Sequence, residues 1–141
     1  MAKITKFKLE FEEDNRFSLV AISSCELPQR MAWLLNKTLH VDFENVTELQ
    51  GKEVDGEKEQ FPVFMSSSEF DDYALTLFTN KFNGQTLINS FPNIDYLLKI
   101  SESLDDDTLR NSCASIRSIE GVTICTPVPD DKKIHPTLVD F

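Results

Sequence analysis

Glycine is scarce in this chain, with only four copies among 141 residues. Loops that hold a phosphate group need glycines close together, and no glycine-rich motif of that kind is present. The turn that presents a nucleophilic serine in many hydrolases is also missing. The sequence therefore carries no signature of a nucleotide-binding enzyme or of a serine hydrolase.

Cysteine and histidine are also few, and their spacing fits neither a metal site nor a redox motif. The three cysteines are Cys25, Cys113 and Cys125, and the two histidines are His40 and His135. We interpret the cysteines as reduced and buried thiols. At Cys25 a second interpretation is open, because a thiol in the first turn of a helix has a lowered pKa. We expect no metal, no cofactor and no catalytic residue.

Long hydrophobic runs are absent, since no apolar segment approaches the roughly 20 residues that span a bilayer. The N-terminal residues alternate charged and apolar side chains, which is not the pattern of a secretory signal. The formal charge of −10 disfavours binding to phosphate backbones and to anionic lipids. We therefore expect a cytoplasmic protein that binds neither nucleic acid nor membranes.

Hydrophobic residues make up 40% of the chain, and eleven of them are phenylalanine. This content is enough for one packed core. Strand and helix patterns follow one another in the order β-β-α-β-β-β-β-α-β. They predict an α+β fold, a mostly antiparallel sheet of six to seven strands with two helices packed on one face, close to a ferredoxin-like plan. We expect one domain over residues 1–129 and a tail over 130–141 that is either packed on the body or loose.

Several segments carry this prediction. Residues 6–11 alternate as a half-buried strand, and the pattern predicts a helix from about Ser24 to Leu39 with Ser23 and Glu26 as a capping box. Gly51–Gln60 is interpreted as a solvated loop or hairpin tip, and Asp105–Asp107 as the capped start of the second helix. Tyr73–Thr79 is apolar on both faces, which indicates an interior strand.

The segment Ile88–Tyr96 reads Ile-Asn-Ser-Phe-Pro-Asn-Ile-Asp-Tyr. It resembles the signature of the IPExxxVDY family, small uncharacterised bacterial proteins found chiefly in Bacteroidetes. Ile88, Asp95 and Tyr96 match the signature, Ile94 stands in place of Val, and the Pro and Glu of the pattern are replaced. The run Ala32–Lys37 is similar to a helix of that family. The resemblance implies a cytoplasmic bacterial protein and no particular activity.

Asp95, Tyr96 and Asn93 are the candidate ligand-binding residues. A carboxylate beside a phenol at the start of a strand has the groups to bind a cation or a polar ligand. The structural alternative is that Tyr96 packs its ring inward while Asp95 accepts backbone N–H groups in the turn at Pro92–Asn93. We favour the structural role for both side chains.

The lack of a reactive cluster favours a non-enzymatic interaction or regulatory module. A protein partner or a second copy of the chain is expected, because one sheet face is left for a partner to cover. The alternatives are a small-molecule-binding sensor domain, with a pocket near residues 80–95, and an enzyme whose site the sequence does not reveal.

Overall fold

A computed structural model describes residues 17–67, 74–133 and 135–140. Its strands and helices follow the spacing of apolar residues along the chain. The elements in chain order are β1 (Ser18–Ser24), α1 (Pro28–Leu39), β2 (Glu44–Val54), β3 (Glu57–Ser67), β4 (Ala74–Thr79), β5 (Lys81–Phe82), β6 (Gln85–Thr86), β7 (Tyr96–Ile100), α2 (Asp106–Arg117), β8 (Val122–Pro127), a 3₁₀ turn (Asp130–Lys132) and α3 (Pro136–Asp140).

Six strands form one antiparallel sheet in the order β2-β3-β4-β7-β1-β8, and β5 and β6 form a separate two-stranded ribbon. In the centre, Val20 of β1 lies opposite Leu98 of β7 on one side and Pro127 of β8 on the other. Leu77 of β4 also lies opposite Leu98. The expected α+β class with an antiparallel sheet is confirmed, with six strands in the main sheet.

The two sheet faces carry separate hydrophobic clusters, because successive side chains of a strand point to opposite faces. Val20 and Leu98 belong to the first cluster, which also contains the buried residues of α1 and α2. Leu19 and Leu97 belong to the second cluster. The sheet is therefore buried on both faces in its central strands.

The chain itself supplies much of the cover on the second face. Ile88 and Phe91 come from the segment between β6 and β7, and Leu138 comes from α3. Ile88 and Leu138 have no measurable exposure. The apolar character of β4 on both faces is thus satisfied within one chain, so it no longer argues for a second copy over this face.

The segment Gly51–Gln60, expected to be a solvated loop or a hairpin tip, is the tip of the β2–β3 hairpin, and the strands extend further into it than expected. Only Asp55 and Gly56 form the turn, and both have positive φ, at 54° and 82°. An Asp-Gly pair in this conformation is a favoured two-residue hairpin turn, because its twist matches that of the strands. The hairpin tip is therefore the alternative that the structure confirms.

The start of α1 also differs from the prediction. The helix begins at Pro28, and its N-cap Leu27 makes no side-chain capping bond. Cys25 is exposed, so its interpretation as a buried thiol is wrong, and it lies before the helix, so it lacks the first-turn position on which the second interpretation depends. The predicted strand over residues 6–11 and the start of the strand predicted at Tyr73 lie outside the described residues. Among the residues that are described, none of the helices has the length and apolar character needed to cross a bilayer.

Candidate functional site

Two of the residues singled out in the sequence, Asp95 and Asn93, bind the turn that leads from β1 into α1. The Asp95 carboxylate accepts the backbone N–H of Ser24 at 2.9 Å. The backbone carbonyl of Asn93 accepts the hydroxyl of Ser23 at 2.9 Å, while the Asn93 side chain is exposed. These contacts join segments about 70 residues apart in the chain, and they place both residues beside the start of α1.

Tyr96 reaches the same turn from the first residue of β7. Its ring is buried in the first hydrophobic cluster, and its hydroxyl donates a hydrogen bond to the backbone carbonyl of Glu26. Burial raises the pKa of Tyr96, and the negative charges of Asp95 and Glu26 raise it further. The phenol therefore remains a neutral donor at physiological pH.

Asn80, at the end of β4, holds the segment between β6 and β7 in place. Its side-chain amide donates to the carbonyls of Phe91 and Ile94, and its side-chain oxygen accepts the N–H of Ile88. Its backbone N–H donates to the carbonyl of Asp95 at 2.8 Å. Asn80 is completely buried, so it sets the path of the segment that ends in Asp95 and Tyr96.

Helix α1 follows directly from the turn that Asp95 and Tyr96 hold. Its inner side buries Pro28, Met31, Ala32 and Leu35. With 3.6 residues per turn, Trp33 falls on the opposite side of the helix from Met31 and Leu35. Trp33 is the only tryptophan of the chain, and half of its surface is exposed. Trp33 belongs to neither core cluster, so packing of the core does not account for the exposed half of its ring.

Two cations flank the Trp33 ring. The Lys37 Nζ lies 4.6 Å from the ring centroid, and the Arg30 guanidinium carbon lies 5.6 Å from it. Both distances are in the range of cation–π contacts. The Arg30 Nε also lies 3.1 Å from a carboxylate oxygen of Glu26, the residue whose carbonyl binds Tyr96. A continuous set of contacts therefore leads from Tyr96 through Glu26 and Arg30 to Trp33.

The charge of α1 is unlike that of the whole chain. Pro28–Leu39 contains Arg30 and Lys37 and no acidic residue, in a protein of formal charge −10. Leu27, at the N-cap, is 73% exposed and adds an apolar side chain next to Arg30. Leu27, Arg30, Trp33 and Lys37 form one exposed surface, which we call the α1 patch. Of these side chains, tryptophan and arginine are enriched at protein–protein interfaces and among their energetic hot spots.

The far end of α1 is held as firmly as its start. The Asn36 side-chain oxygen accepts the backbone N–H of Phe43 at 2.6 Å, and its amide donates to the Phe43 carbonyl at 3.3 Å. The C-cap residue His40 has a left-handed conformation and donates its N–H to the Asn36 carbonyl. Because both ends are fixed to the body, the α1 patch is a preorganised surface.

Two clefts run along α2 and β8. One, of about 530 Å³, is lined by Lys133, Arg110, Asp106 and Asp130 among others. The other, of about 450 Å³, contains Arg110, Arg117 and the two buried cysteines. In the first cleft the cationic and acidic side chains are of equal number and give no net preference for a charged ligand. No cluster of three or more potential metal ligands occurs among the described residues.

The sequence led to Asp95 and Tyr96 but missed Trp33. The signal was present, because Trp33 lies off the apolar stripe that Met31 and Leu35 define. Tryptophan is enriched at protein–protein interfaces relative to the rest of the surface. Comparison of the chain with protein families, with curated proteins and with solved structures finds no match. The resemblance to the IPExxxVDY signature thus stays a prediction.

Proposed function

We propose that this protein is a non-enzymatic interaction module that binds an acidic segment of a partner protein through the α1 patch. The observation that carries the proposal is the position of Trp33, half exposed on the side of α1 opposite the core, between Arg30 and Lys37. Charge complementarity selects the partner, because α1 carries Arg30 and Lys37 and no acidic residue, while the chain as a whole is strongly acidic.

The energetic contributions favour Trp33 as the main contact. A tryptophan buries up to about 250 Å², so covering its exposed half stabilises a complex by about 2–3 kcal/mol. Exposed ion pairs at Arg30 and Lys37 contribute about 0.2–1 kcal/mol each. Trp33 therefore supplies most of the affinity, while Arg30 and Lys37 select an acidic partner and accelerate its association.

The contacts of Asp95 and Tyr96 support a positioning role for the signature-like segment. Both residues hold the turn from which α1 begins, through the Asp95 carboxylate and the Tyr96 hydroxyl. We infer that this segment serves the module by fixing the orientation of the α1 patch. A small-molecule sensor is the less favoured function, because the segment over residues 80–95 is anchored internally by Asn80.

We also infer a ferredoxin-like plan for the core. Two observations support it, namely the strand order β8-β1-β7-β4 and the succession of β1–α1, β4–β7 and α2–β8 along the chain. The β2–β3 hairpin is inserted after α1 and is added at the sheet edge. The buried residues of α1 and α2 share one cluster, which supports both helices on the same face. A bacterial origin and a cytoplasmic location remain proposals from the sequence.

Partner capture tests the proposed function. The tagged protein and its Trp33→Ala variant are incubated with extract of the native host, and the bound proteins are identified by mass spectrometry. The control is Ile124→Ala, because Ile124 is 48% exposed on β8 and is not part of the patch. We expect a partner with an acidic segment that the wild type and Ile124→Ala retain and Trp33→Ala loses.

Trp33 fluorescence provides a direct second measurement, because this is the only tryptophan of the chain. Titration with a synthetic peptide of the partner's acidic segment should shift the emission to shorter wavelength as the ring is covered. Added salt should weaken the binding. A partner that binds Trp33→Ala as tightly as the wild type, or that leaves the emission unchanged, would contradict the proposal.

A further inference from the structure

The groove between α2 and β8 contains two cysteines that the proposed function does not use. Cys113 comes from α2 and Cys125 from β8, and they are 1% and 4% exposed. Both belong to the first hydrophobic cluster, and both line the cleft of about 450 Å³. Two buried cysteines of separate elements therefore lie in the wall of one cleft.

The two thiols interact with each other. Hydrogen bonding with the Cys125 thiol lowers the pKa of Cys113, burial opposes this effect, and the positive charge of Arg117 lowers the pKa further. The same hydrogen bond, together with burial, raises the pKa of Cys125. The pair is thus asymmetric: the pKa of Cys113 is lowered and that of Cys125 is raised.

Arginines line the same cleft on the solvent side. Arg110 and Arg117 are both exposed residues of α2, one on each side of Cys113 in the sequence. Positive charge near a thiol favours the thiolate, which is the nucleophilic form. The neighbouring hydroxyl groups of Thr123 and Thr126 also line the cleft and give it polar contacts for a small hydrogen-bonding molecule.

We propose that Cys113 and Cys125 form a site of reversible oxidation by a small hydroperoxide, which joins α2 to β8 through a disulfide. The Cys113 thiolate attacks one peroxide oxygen, the O–O bond breaks, and Cys113 becomes a sulfenic acid while hydroxide leaves with the electron pair. The Cys125 sulfur then attacks the Cys113 sulfur, the S–O bond breaks, and the oxygen leaves as water with the proton of Cys125. Two thiols are oxidised and one peroxide is reduced.

The reverse reaction needs a dithiol reductant. Its thiolate attacks the disulfide and forms a mixed disulfide, and its second thiol releases the protein thiols. The disulfide closes the loop from Cys113 to Cys125, which includes the end of α2 and the start of β8. The reaction does not involve the α1 patch, so a negative result for the oxidation does not affect the proposed function, and loss of partner binding does not affect the oxidation.

The test uses the full chain with Cys25→Ser, which removes the exposed thiol and leaves the pair. Hydrogen peroxide is added in small molar excess, and free thiols, intact mass and proteolytic peptides are measured. We expect the loss of both thiols, a mass decrease of two hydrogens and a peptide that joins Cys113 to Cys125. Dithiothreitol should restore both thiols. Closing this loop should raise the melting temperature by about 5–10 °C.

Two further variants separate the roles of the two sulfurs. In Cys25→Ser/Cys125→Ser, Cys113 should form a sulfenic acid that dimedone traps, because no second thiol is present to resolve it. In Cys25→Ser/Cys113→Ser, Cys125 should react at least about tenfold more slowly than Cys113 does in the first variant. The Cys25→Ser protein alone decides the proposal if a double variant does not fold. Unreactive thiols, a mass gain of oxygen without the disulfide, or disulfides between molecules would overturn it.

Discussion

The carboxylate of Asp95 accepts the backbone N–H of Ser24 at 2.9 Å, although the two residues lie 71 positions apart. Ser24 is the last residue of β1 and is buried, so its N–H depends on this carboxylate in place of water. The bond connects the end of the signature-like segment to the turn before α1. Asp95 therefore belongs to the support of the helix that carries Trp33.

Asp95→Ala removes the acceptor and leaves the Ser24 N–H without its partner. We expect a loss of about 1–3 kcal/mol in the free energy of unfolding, because an unpaired buried donor costs that much. Asp95→Asn keeps an acceptor oxygen and should lose less than half of this. Asn93→Ala is the control, because Asn93 uses only its backbone carbonyl. Urea unfolding measures the stability of all three variants. Equal stability of Asp95→Ala and Asn93→Ala would contradict the role of the Asp95 carboxylate as the acceptor for the Ser24 N–H.

Tyr96→Phe removes the hydroxyl that binds the Glu26 carbonyl. We expect a loss of about 1 kcal/mol near neutral pH. The burial that raises the pKa of Tyr96 adds a pH dependence. Below the ordinary tyrosine value of about 10 the stabilisation is complete, and above it the unfolded chain loses its proton first, so the stability of the folded wild type falls.

The phenylalanine variant lacks this dependence. The advantage of the wild type over Tyr96→Phe should therefore shrink by about 1 kcal/mol between about pH 8 and about pH 11. Other groups that titrate at high pH are common to both proteins and cancel in the difference. Urea unfolding at the two pH values measures it. A constant difference over this range would show that the phenol ionises equally in the folded and unfolded chains.

Trp33→Ala should cost much less stability than the truncation of a core residue. The side chain is half exposed and lies opposite the core, so we expect a loss of about 1 kcal/mol in the free energy of unfolding, mainly from the contacts with Arg30 and Lys37. Met31→Ala, two positions earlier on the buried side, is the contrast and should lose about 2–5 kcal/mol. Thermal or urea unfolding compares them. A large loss in Trp33→Ala would assign the residue to packing and remove the basis of the α1 patch.

The sequence predicted much of the fold because the local patterns were strong. The strands at β1, β7 and β8 and the helix at α2 follow from apolar periodicity, and Asp105 does cap α2 by accepting the N–H of Thr108 at 2.8 Å. The start of α1 was placed too early, because Ser23 and Glu26 fit a capping box. In the structure Ser23 donates to Asn93, which is 70 positions away, and no local pattern contains that contact.

The candidate site was less predictable for the same reason. Tyr96 was expected to pack inward, and it does. Its partner Glu26 and the partner of Asp95, Ser24, are brought close only by the pairing of β1 with β7. The Cys113–Cys125 pair likewise depends on how α2 folds back on β8. Residue spacing along the chain cannot reveal pairs that tertiary structure creates.

Asn80→Ala should be among the more damaging single changes. It removes three buried side-chain hydrogen bonds and leaves the N–H of Ile88 and the carbonyls of Phe91 and Ile94 without this partner. We expect a loss of about 3 kcal/mol. Hydrogen exchange of the Ile88 amide should accelerate more than that of amides in β1. Asn80→Asp retains one acceptor but directs a carboxylate at two carbonyls, and it should be at least as destabilising at neutral pH.

Lys133 is a buried lysine whose ammonium group has three kinds of contact. It donates to the Phe17 carbonyl, lies 5.1 Å from the centroid of the Phe17 ring, and lies 2.8 Å from the Asp130 carboxylate. The Asp130 side chain is almost fully exposed, so water screens the ion pair and its contribution is below about 1 kcal/mol. The contacts to Phe17 are buried, and a hydrogen bond from a charged donor contributes about 1.5–3 kcal/mol.

This comparison predicts different losses of stability for variants of Lys133 and of Asp130. Lys133→Met keeps the apolar stem, removes the charged donor and should lose about 2 kcal/mol of stability. Asp130→Ala should change stability by less than about 0.5 kcal/mol, because only the screened pair is lost. Urea unfolding of both variants at low and high salt measures the difference. If Asp130→Ala were as destabilising as Lys133→Met, the ion pair and not Phe17 would hold the lysine.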